Sequence, residues 1–306
     1  MKKFFTATIL FATVLLTACS SVTVERREIF MGTVVTLKAT GANAQIAVDE
    51  SFRAVAELER NISADVAKIE AADNFVDVSP DVYKILQTAQ IFSELTDGAF
   101  DVTVGSAVEL WAVGTDKVRV PTSDELASVK NFVGREHLQL RDGKVFVDNG
   151  VKLNLGGVAK GYGVDIVRKI FASHGITDGL IDFGTSTIFA VDRKKIGVKN
   201  PREADKLSFV VELENSALST SGDGEKFFVA NGKRYGHIID PKTCAPVEGE
   251  NFSVTVVVDG SCELCSTVAD ILSTAAVVDR KRVEEILSQQ KIPAEFIDEE
   301  NFFTLP

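Results

Sequence analysis

The chain has 306 residues with 33 Lys+Arg against 44 Asp+Glu, a formal net charge of −11. That balance excludes a nucleic-acid binder, which needs clustered Lys and Arg to neutralise phosphates. Hydrophobic residues at 45% and charged residues at 25% exclude a disordered or collagen-like chain, and four cysteines are too few for a disulfide scaffold.

Lys2 and Lys3 precede an apolar run from Phe4 to Leu16, broken only by Thr6, Thr8 and Thr13, and then comes Leu16-Thr17-Ala18-Cys19. A basic start, a short apolar stretch and small residues at the cleavage point predict a secretory signal over residues 1–18. A membrane span would need about 20 apolar residues. The Leu-Thr-Ala-Cys ending resembles a lipobox, which implies cleavage before Cys19 and acylation of its thiol. The body, residues 19–306, is then expected to be exported and tethered by lipid to the membrane on the extracytoplasmic (periplasmic) side.

Further along, Phe30 to Lys38 alternates and is β-branched, which predicts a strand. Ala42 to Asn61 carries apolar residues at helical spacing. Ser79-Pro80 predicts an N-cap and first turn for a helix through Leu95, and Thr122-Ser123-Asp124-Glu125 opens another. Val145 to Leu155 reads as strand, and Gly161 to His174 as a helix ended by Gly175. Leu180–Phe183, Lys195–Val198, Phe209–Leu213 and Val254–Val258 read as strands. Phe227–Ala230 and Arg234–Ile239 flank Asn231-Gly232, a strong hairpin signal. Two helices, Thr267–Val277 and Val283–Gln289, close the chain. Strands and helices interleave without a strict βαβ rhythm. The expected class is therefore α+β (mixed α/β), with two lobes and a cleft between them.

Glycines and polar residues concentrate in four segments. Thr96-Asp97-Gly98-Ala99-Phe100-Asp101 is a turn expected to expose backbone amides beside two carboxylates. Leu153-Asn154-Leu155-Gly156-Gly157-Val158-Ala159-Lys160-Gly161-Tyr162 runs strand, glycine turn, helix, so amides could converge on an anion near Lys160. It is neither a Walker A loop nor a G-x-G-x-x-G fingerprint, and a glycine packing turn explains it equally well. Ser219-Thr220-Ser221-Gly222-Asp223 leads to His237, one of three histidines, next to an Asp240-Pro241 turn. Asp270 and Thr274, four apart on one helical face, both offer hard oxygen ligands. Cys262 and Cys265 have C-x-x-C spacing but lack the partners of a zinc site, and two small cysteines before a helix is the favoured reading over a labile disulfide.

Together, in this order and with Met31-Gly32-Thr33 ahead of them, the segments resemble the signatures of the ApbE-type FAD:protein FMN transferases over nearly the whole body of the chain. The resemblance implies a two-lobed flavin-transferase fold with FAD in the cleft. The implied enzyme uses Mg²⁺ to split FAD, attaches FMN through a phosphoester to a Thr of an extracytoplasmic redox protein, and releases AMP. It implies Mg²⁺ ligands at Asp270, Thr274 and a carbonyl of the glycine turn, assigned to Gly157. FAD contacts are implied at Met31, Ala99, Phe100, Asp101, Asn154, Lys160, His237 and Ile238. His237 and Asp270 are the implied catalytic residues, His237 either helping to deprotonate the Thr hydroxyl or positioning phosphates. With few basic side chains to spare, diphosphate recognition is expected to rest on Mg²⁺, backbone amides and Lys160.

The chain departs from the pattern at Thr185-Ser186, where Gly-Asn is usual, at Thr243-Cys244, where Thr-Gly is usual, and at Ala64-Asp65, where an aromatic is common. Two other activities stay open from sequence: a Mg²⁺-dependent FAD pyrophosphatase giving FMN and AMP, and a lipoprotein that binds FAD without turnover.

Overall fold

The computed structural model describes residues 21–184, 186–203, 205–248, 253–290 and 292–297. The signal segment, Cys19 and Thr185 lie outside them. Among the described residues, seven strands form one antiparallel sheet. In spatial order they are Val22–Phe30, Thr33–Gly41, Asp178–Phe183, Thr187–Ala190, Ser216–Gly222, Ser253–Asp259 and Ala294–Ile297. The helices are α1 (Ala44–Glu70), α2 (Pro80–Leu95), α3 (Gly105–Trp111), α4 (Ser123–Lys130), α5 (Ala159–Ser173) and α6 (Cys265–Gln290). The α+β class expected from the sequence is the class observed.

Three helices layer one face of the sheet: α1 over the first two strands, α5 over the next two, and α6 over Ser216–Gly222 and Ser253–Asp259. The hairpin of Lys194–Lys199 and Leu207–Leu213 covers part of the other face, where Ile188, Leu218 and Val257 meet Ile196, Val211 and Leu213. Thr187–Ala190 is buried at every position because both of its faces are covered. In Ser216–Gly222 the two-residue period sends Leu218 to the hairpin and Ala217, Ser219 and Ser221 to the helices. The main core continues from the sheet into α2 and a small sheet of Val76–Asp77, Lys144–Val147 and Leu138–Arg141. A separate cluster joins Trp111 of α3 to Ile239, Cys244, Phe228 and Tyr235, and so packs the arm carrying His237.

Several boundaries differ from the sequence expectation. The strand expected over Phe30–Lys38 is the turn and second half of a hairpin, because Met31 and Gly32 take φ 51° and 70° and fold Val22–Phe30 back on Thr33–Gly41. Residues 151–155 leave the strand expected from Val145, which stops at Val147. Helix α1 runs nine residues beyond Asn61, and α3 has no counterpart in the sequence reading. The last two expected helices are both present, as the two halves of α6 on either side of a non-helical Asp279 (φ −145°, ψ 83°), whose Oδ1 accepts from Arg282 N at 3.0 Å and caps the second half.

The expected caps form. Ser79 Oγ accepts from Val82 N, with Pro80 in the first turn of α2. Thr122 and Glu125 make a reciprocal capping box on α4. Because α4 buries none of its residues, this cap carries much of its local stability. Thr122→Ala is expected to cost about 1 kcal/mol locally, read as roughly fivefold faster amide exchange at Glu125.

Candidate active site

The glycine turn delivers the chain from Leu155 into α5. Gly156 N donates to Asn154 Oδ1 at 2.9 Å, and Lys160 Nζ folds back onto Gly156 O at 2.6 Å. Asn154 itself is held by its own N–H to Val102 O at 2.7 Å. A Cβ on Gly157 would lie 3.0 Å from Thr274 Oγ1 and 3.1 Å from Phe100 Cε2, so the turn runs directly beneath the Thr274 side chain. At Gly161 a Cβ would come within 2.4 Å of Ser266 O and 2.7 Å of Thr267 Cα, so α5 and α6 touch backbone to backbone there.

That contact fixes Asp270. The side chain is 1% exposed; its Oδ2 accepts from Gly161 N at 3.0 Å and lies 3.7 Å from Lys160 Nζ. Its Oδ1 has Ser219 Oγ at 3.5 Å, too long for a strong bond. One turn on, Thr274 Oγ1 lies 3.2 Å from Ser221 Oγ, which also meets Ser273 Oγ at 2.8 Å. Asp270, Thr274, Ser219 and Ser221 thus gather hard oxygens at one place, with the Gly157 backbone running beside Thr274. Among the described residues no three His, Cys, Asp or Glu side chains cluster as a metal site. A cation here would be held by one carboxylate and neutral oxygens, a set suited to Mg²⁺ with room for phosphate oxygens.

Of the remaining predicted residues, Phe100 lies against the glycine turn and the others sit on neighbouring elements. Met31 donates its N–H to Glu59 Oε1 at 2.7 Å, and its Cε packs 3.6 Å from where a Cβ on Gly163 would stand. Ala99 and Phe100 are buried, with the Phe100 ring against the glycine turn. Asp101 directs its carboxylate into its own chain, accepting from Thr103 N at 2.9 Å, Thr103 Oγ1 at 2.7 Å and Ser93 Oγ at 3.2 Å. Burial raises its pKa against those bonds. His237 Nδ1 lies 3.3 Å from Lys226 O, so Nδ1–H donates and Nε2 keeps its lone pair. Burial, then the charge of Lys226 and more weakly that of Lys160, push the His237 pKa down, which keeps the ring neutral near pH 7. Ile238 lines a cavity of about 380 Å³ with Gly222, Asp223, Arg234, Gly236 and Val277, alongside α6 one turn past Thr274.

Two expectations need correction. The amides of the Thr96–Asp101 turn are not presented outward: Asp97 N goes to Glu94 O, Gly98 N to Ser93 O, Ala99 N to Thr96 O, and Phe100 N to Thr96 Oγ1. At the glycine turn the amides are also drawn inward, Gly156 N to Asn154, Val158 N and Ala159 N to Leu155 O, and Gly161 N to Asp270. The anion at the N-terminus of α5 is the Asp270 carboxylate. The amides that donate within the turn are therefore not free to converge on an outside anion.

The departures have structural occupations. Cys244 takes φ 56°, a left-handed state that glycine adopts without strain, and its carbonyl accepts from Trp111 Nε1 at 2.8 Å. Asp65 accepts from Ser79 N at 2.8 Å ahead of α2, and the Ser186 carbonyl accepts from Thr220 N at 2.8 Å. Cys262 and Cys265 are free thiols; burial pushes Cys265 up to about 12, so neither is poised as a thiolate.

The sequence profile of the ApbE family matches residues 31–296. The chain belongs to the ApbE family. Among its relatives, the FAD:protein FMN transferase of Treponema pallidum is 29% identical over 287 residues, covering 83% of this chain and 78% of that protein. The FAD:protein FMN transferase of Vibrio cholerae is 33% identical over 210 residues, 66% of this chain and 61% of that protein. The ApbE protein of Thermotoga maritima superposes with a TM-score of 0.80 at 30% identity, covering 92% of this chain and 96% of that one. A histidine-to-glycine variant of the Vibrio cholerae flavin transferase ApbE gives 0.77 at 27% identity, covering 90% and 94%. The chain is accordingly an enzyme of the transferase class.

Proposed function

We propose that the protein transfers FMN from FAD to a threonine side chain of an acceptor protein outside the cytoplasm, with Mg²⁺, releasing AMP. The main support beyond family membership is the convergence of Asp270, Thr274, the Gly157 backbone and Lys160 where α5 crosses α6. In the reaction the acceptor Oγ bonds to the FMN phosphorus, the P–O bond to AMP breaks, and the hydroxyl proton is taken up by a base. Mg²⁺ bound by Asp270, Thr274 and the Gly157 carbonyl would neutralise charge on the diphosphate. Lys160, anchored on Gly156 O, holds a fixed positive charge beside that position. His237 Nε2 is the available base: its ring is neutral and oriented through Nδ1 by the Lys226 carbonyl.

Because the folded-state pKa of His237 is lowered, its base form persists below pH 6.5 and is lost only as pH falls through the lowered value. The acid limb of kcat/KM is expected below pH 6.5, and His237→Asn should flatten it; a native limb above 6.5 would exclude His237 as the base. The activity itself is tested by incubating the protein with FAD, Mg²⁺ and a flavin-acceptor domain and weighing the acceptor. A gain of one FMN, abolished by EDTA, is the expected result. Free FMN with AMP would instead mean hydrolysis, and unchanged FAD would mean binding alone.

We also propose export and lipid anchoring through Cys19, supported by the Leu-Thr-Ala-Cys ending of the apolar leader. Among the described residues no helix is long and apolar enough to cross a membrane. Metabolic labelling with palmitate should mark the protein and fail on Cys19→Ser.

A further inference from the structure

Helix α6 begins without a cap of its own. The residue before Cys265 is Leu264, which has no side-chain acceptor, so the first amides of the helix need partners from elsewhere. They find one on α5. Asp165, 1% exposed, accepts from Ser266 N at 3.1 Å through Oδ1 and from Thr267 N at 2.9 Å through Oδ2. Its Oδ2 also takes the Thr267 hydroxyl at 2.6 Å, and the Cys265 thiol lies 3.7 Å from Oδ1. A carboxylate from a neighbouring helix therefore does for α6 what an N-cap side chain normally does, and its charge faces the positive end of that helix. Asp165 is one turn along α5 from Gly161, and Ser266 is one turn along α6 before Asp270. The two helices are thus locked at two adjacent points: Asp165 on the Ser266 and Thr267 amides, and Gly161 N on the Asp270 carboxylate.

We infer that Asp165 is a positioning residue for the cation site, fixing the register of α6 on α5 and through it the Asp270 oxygens against the glycine turn. This inference rests on the proposed cation site. In Asp165→Asn the neutral amide retains one acceptor oxygen for donors that now share two, and the Asp270 carboxylate is free to shift relative to Gly157 and Thr274. Thr267→Val is a milder companion that removes only the hydroxyl from the same carboxylate.

The test is Mn²⁺, as a stand-in for Mg²⁺, titrated into the full-length protein with the free ion read by electron paramagnetic resonance, alongside melting in EDTA. Asp165→Asn is expected to weaken Mn²⁺ binding about tenfold and Thr267→Val by a few-fold in the same direction. Native affinity in both variants, even with lowered melting temperatures, would overturn the inference by reducing Asp165 to a stabilising residue. Thr267→Val carries the decision alone should Asp165→Asn not fold. Asp270→Asn should bind no Mn²⁺; native-like binding by that variant, or none by the native protein, would overturn the cation site and this inference with it.

Discussion

Asp270→Asn is expected to lower FMN transfer by about 10²-fold or more while the protein stays folded. The asparagine is isosteric and can still accept the Gly161 amide, which Asp270 Oδ2 takes at 3.0 Å, so the α5–α6 contact has its partner. What is lost is the single negative charge among the oxygens that would hold a cation. Asp270 is 1% exposed, and among the described residues no three His, Cys, Asp or Glu side chains cluster to offer a cation another set of charged ligands. Mass spectrometry of the acceptor together with AMP release should show the loss, and circular dichroism should show an unchanged fold. Native-rate AMP release by this variant would remove Asp270 from the chemistry.

The largest effect on stability is expected from Gly161→Ala. In a helix interior this exchange ordinarily stabilises by about 0.5–1 kcal/mol. Here the sign reverses, because the new methyl would sit 2.4 Å from Ser266 O and 2.7 Å from Thr267 Cα, both backbone atoms without a rotamer to change. The helices must separate, which lengthens the Gly161–Asp270 and Asp165–Thr267 bonds together. A net loss of about 2–4 kcal/mol follows from overpacking and weakened buried hydrogen bonds, a fall in melting temperature of about 3–7 °C for a chain of this size. A melting temperature equal to or above native would show that α5 and α6 can part without cost.

Much of this was legible in the sequence wherever the signal was local. Ser79-Pro80, Thr122 with Glu125, and Asn231-Gly232 set their caps and turn by chemistry within four residues, and each is where expected. The Met31-Gly32 turn was hidden because alternation runs through it: Phe30 and Thr33 face each other across the hairpin, so the period never breaks. Helix α3 is only seven residues long, with no side-chain cap to announce it. In the site, Asp270 and Thr274 were readable from their spacing and the glycine turn from its composition. The destination of each amide was not, because Gly161 N finds Asp270 across a sequence separation of 109 residues. Asp165 was missed for the same reason, and the segment holding Ser219 and Ser221 was singled out without the partners its hydroxyls find on α6. Each is an ordinary residue on an amphipathic element until its neighbour across the core is known. A polar residue on the buried face of α5 was the one signal that could have found Asp165.

The arm that carries His237 and the helix that carries Asp270 are packed in the main by different cores. The aromatic residues of the arm rest on the small cluster around Trp111 and Cys244, with Ile238 reaching the large core under the sheet to which α5 and α6 belong. Small clusters open at lower free energy than large ones. On heating, the arm that holds the proposed base should therefore loosen while the proposed cation site still holds, so activity is expected to fade several degrees before the sheet melts. Thermal tolerance of catalysis is then set by how well one tryptophan seats on its hairpin.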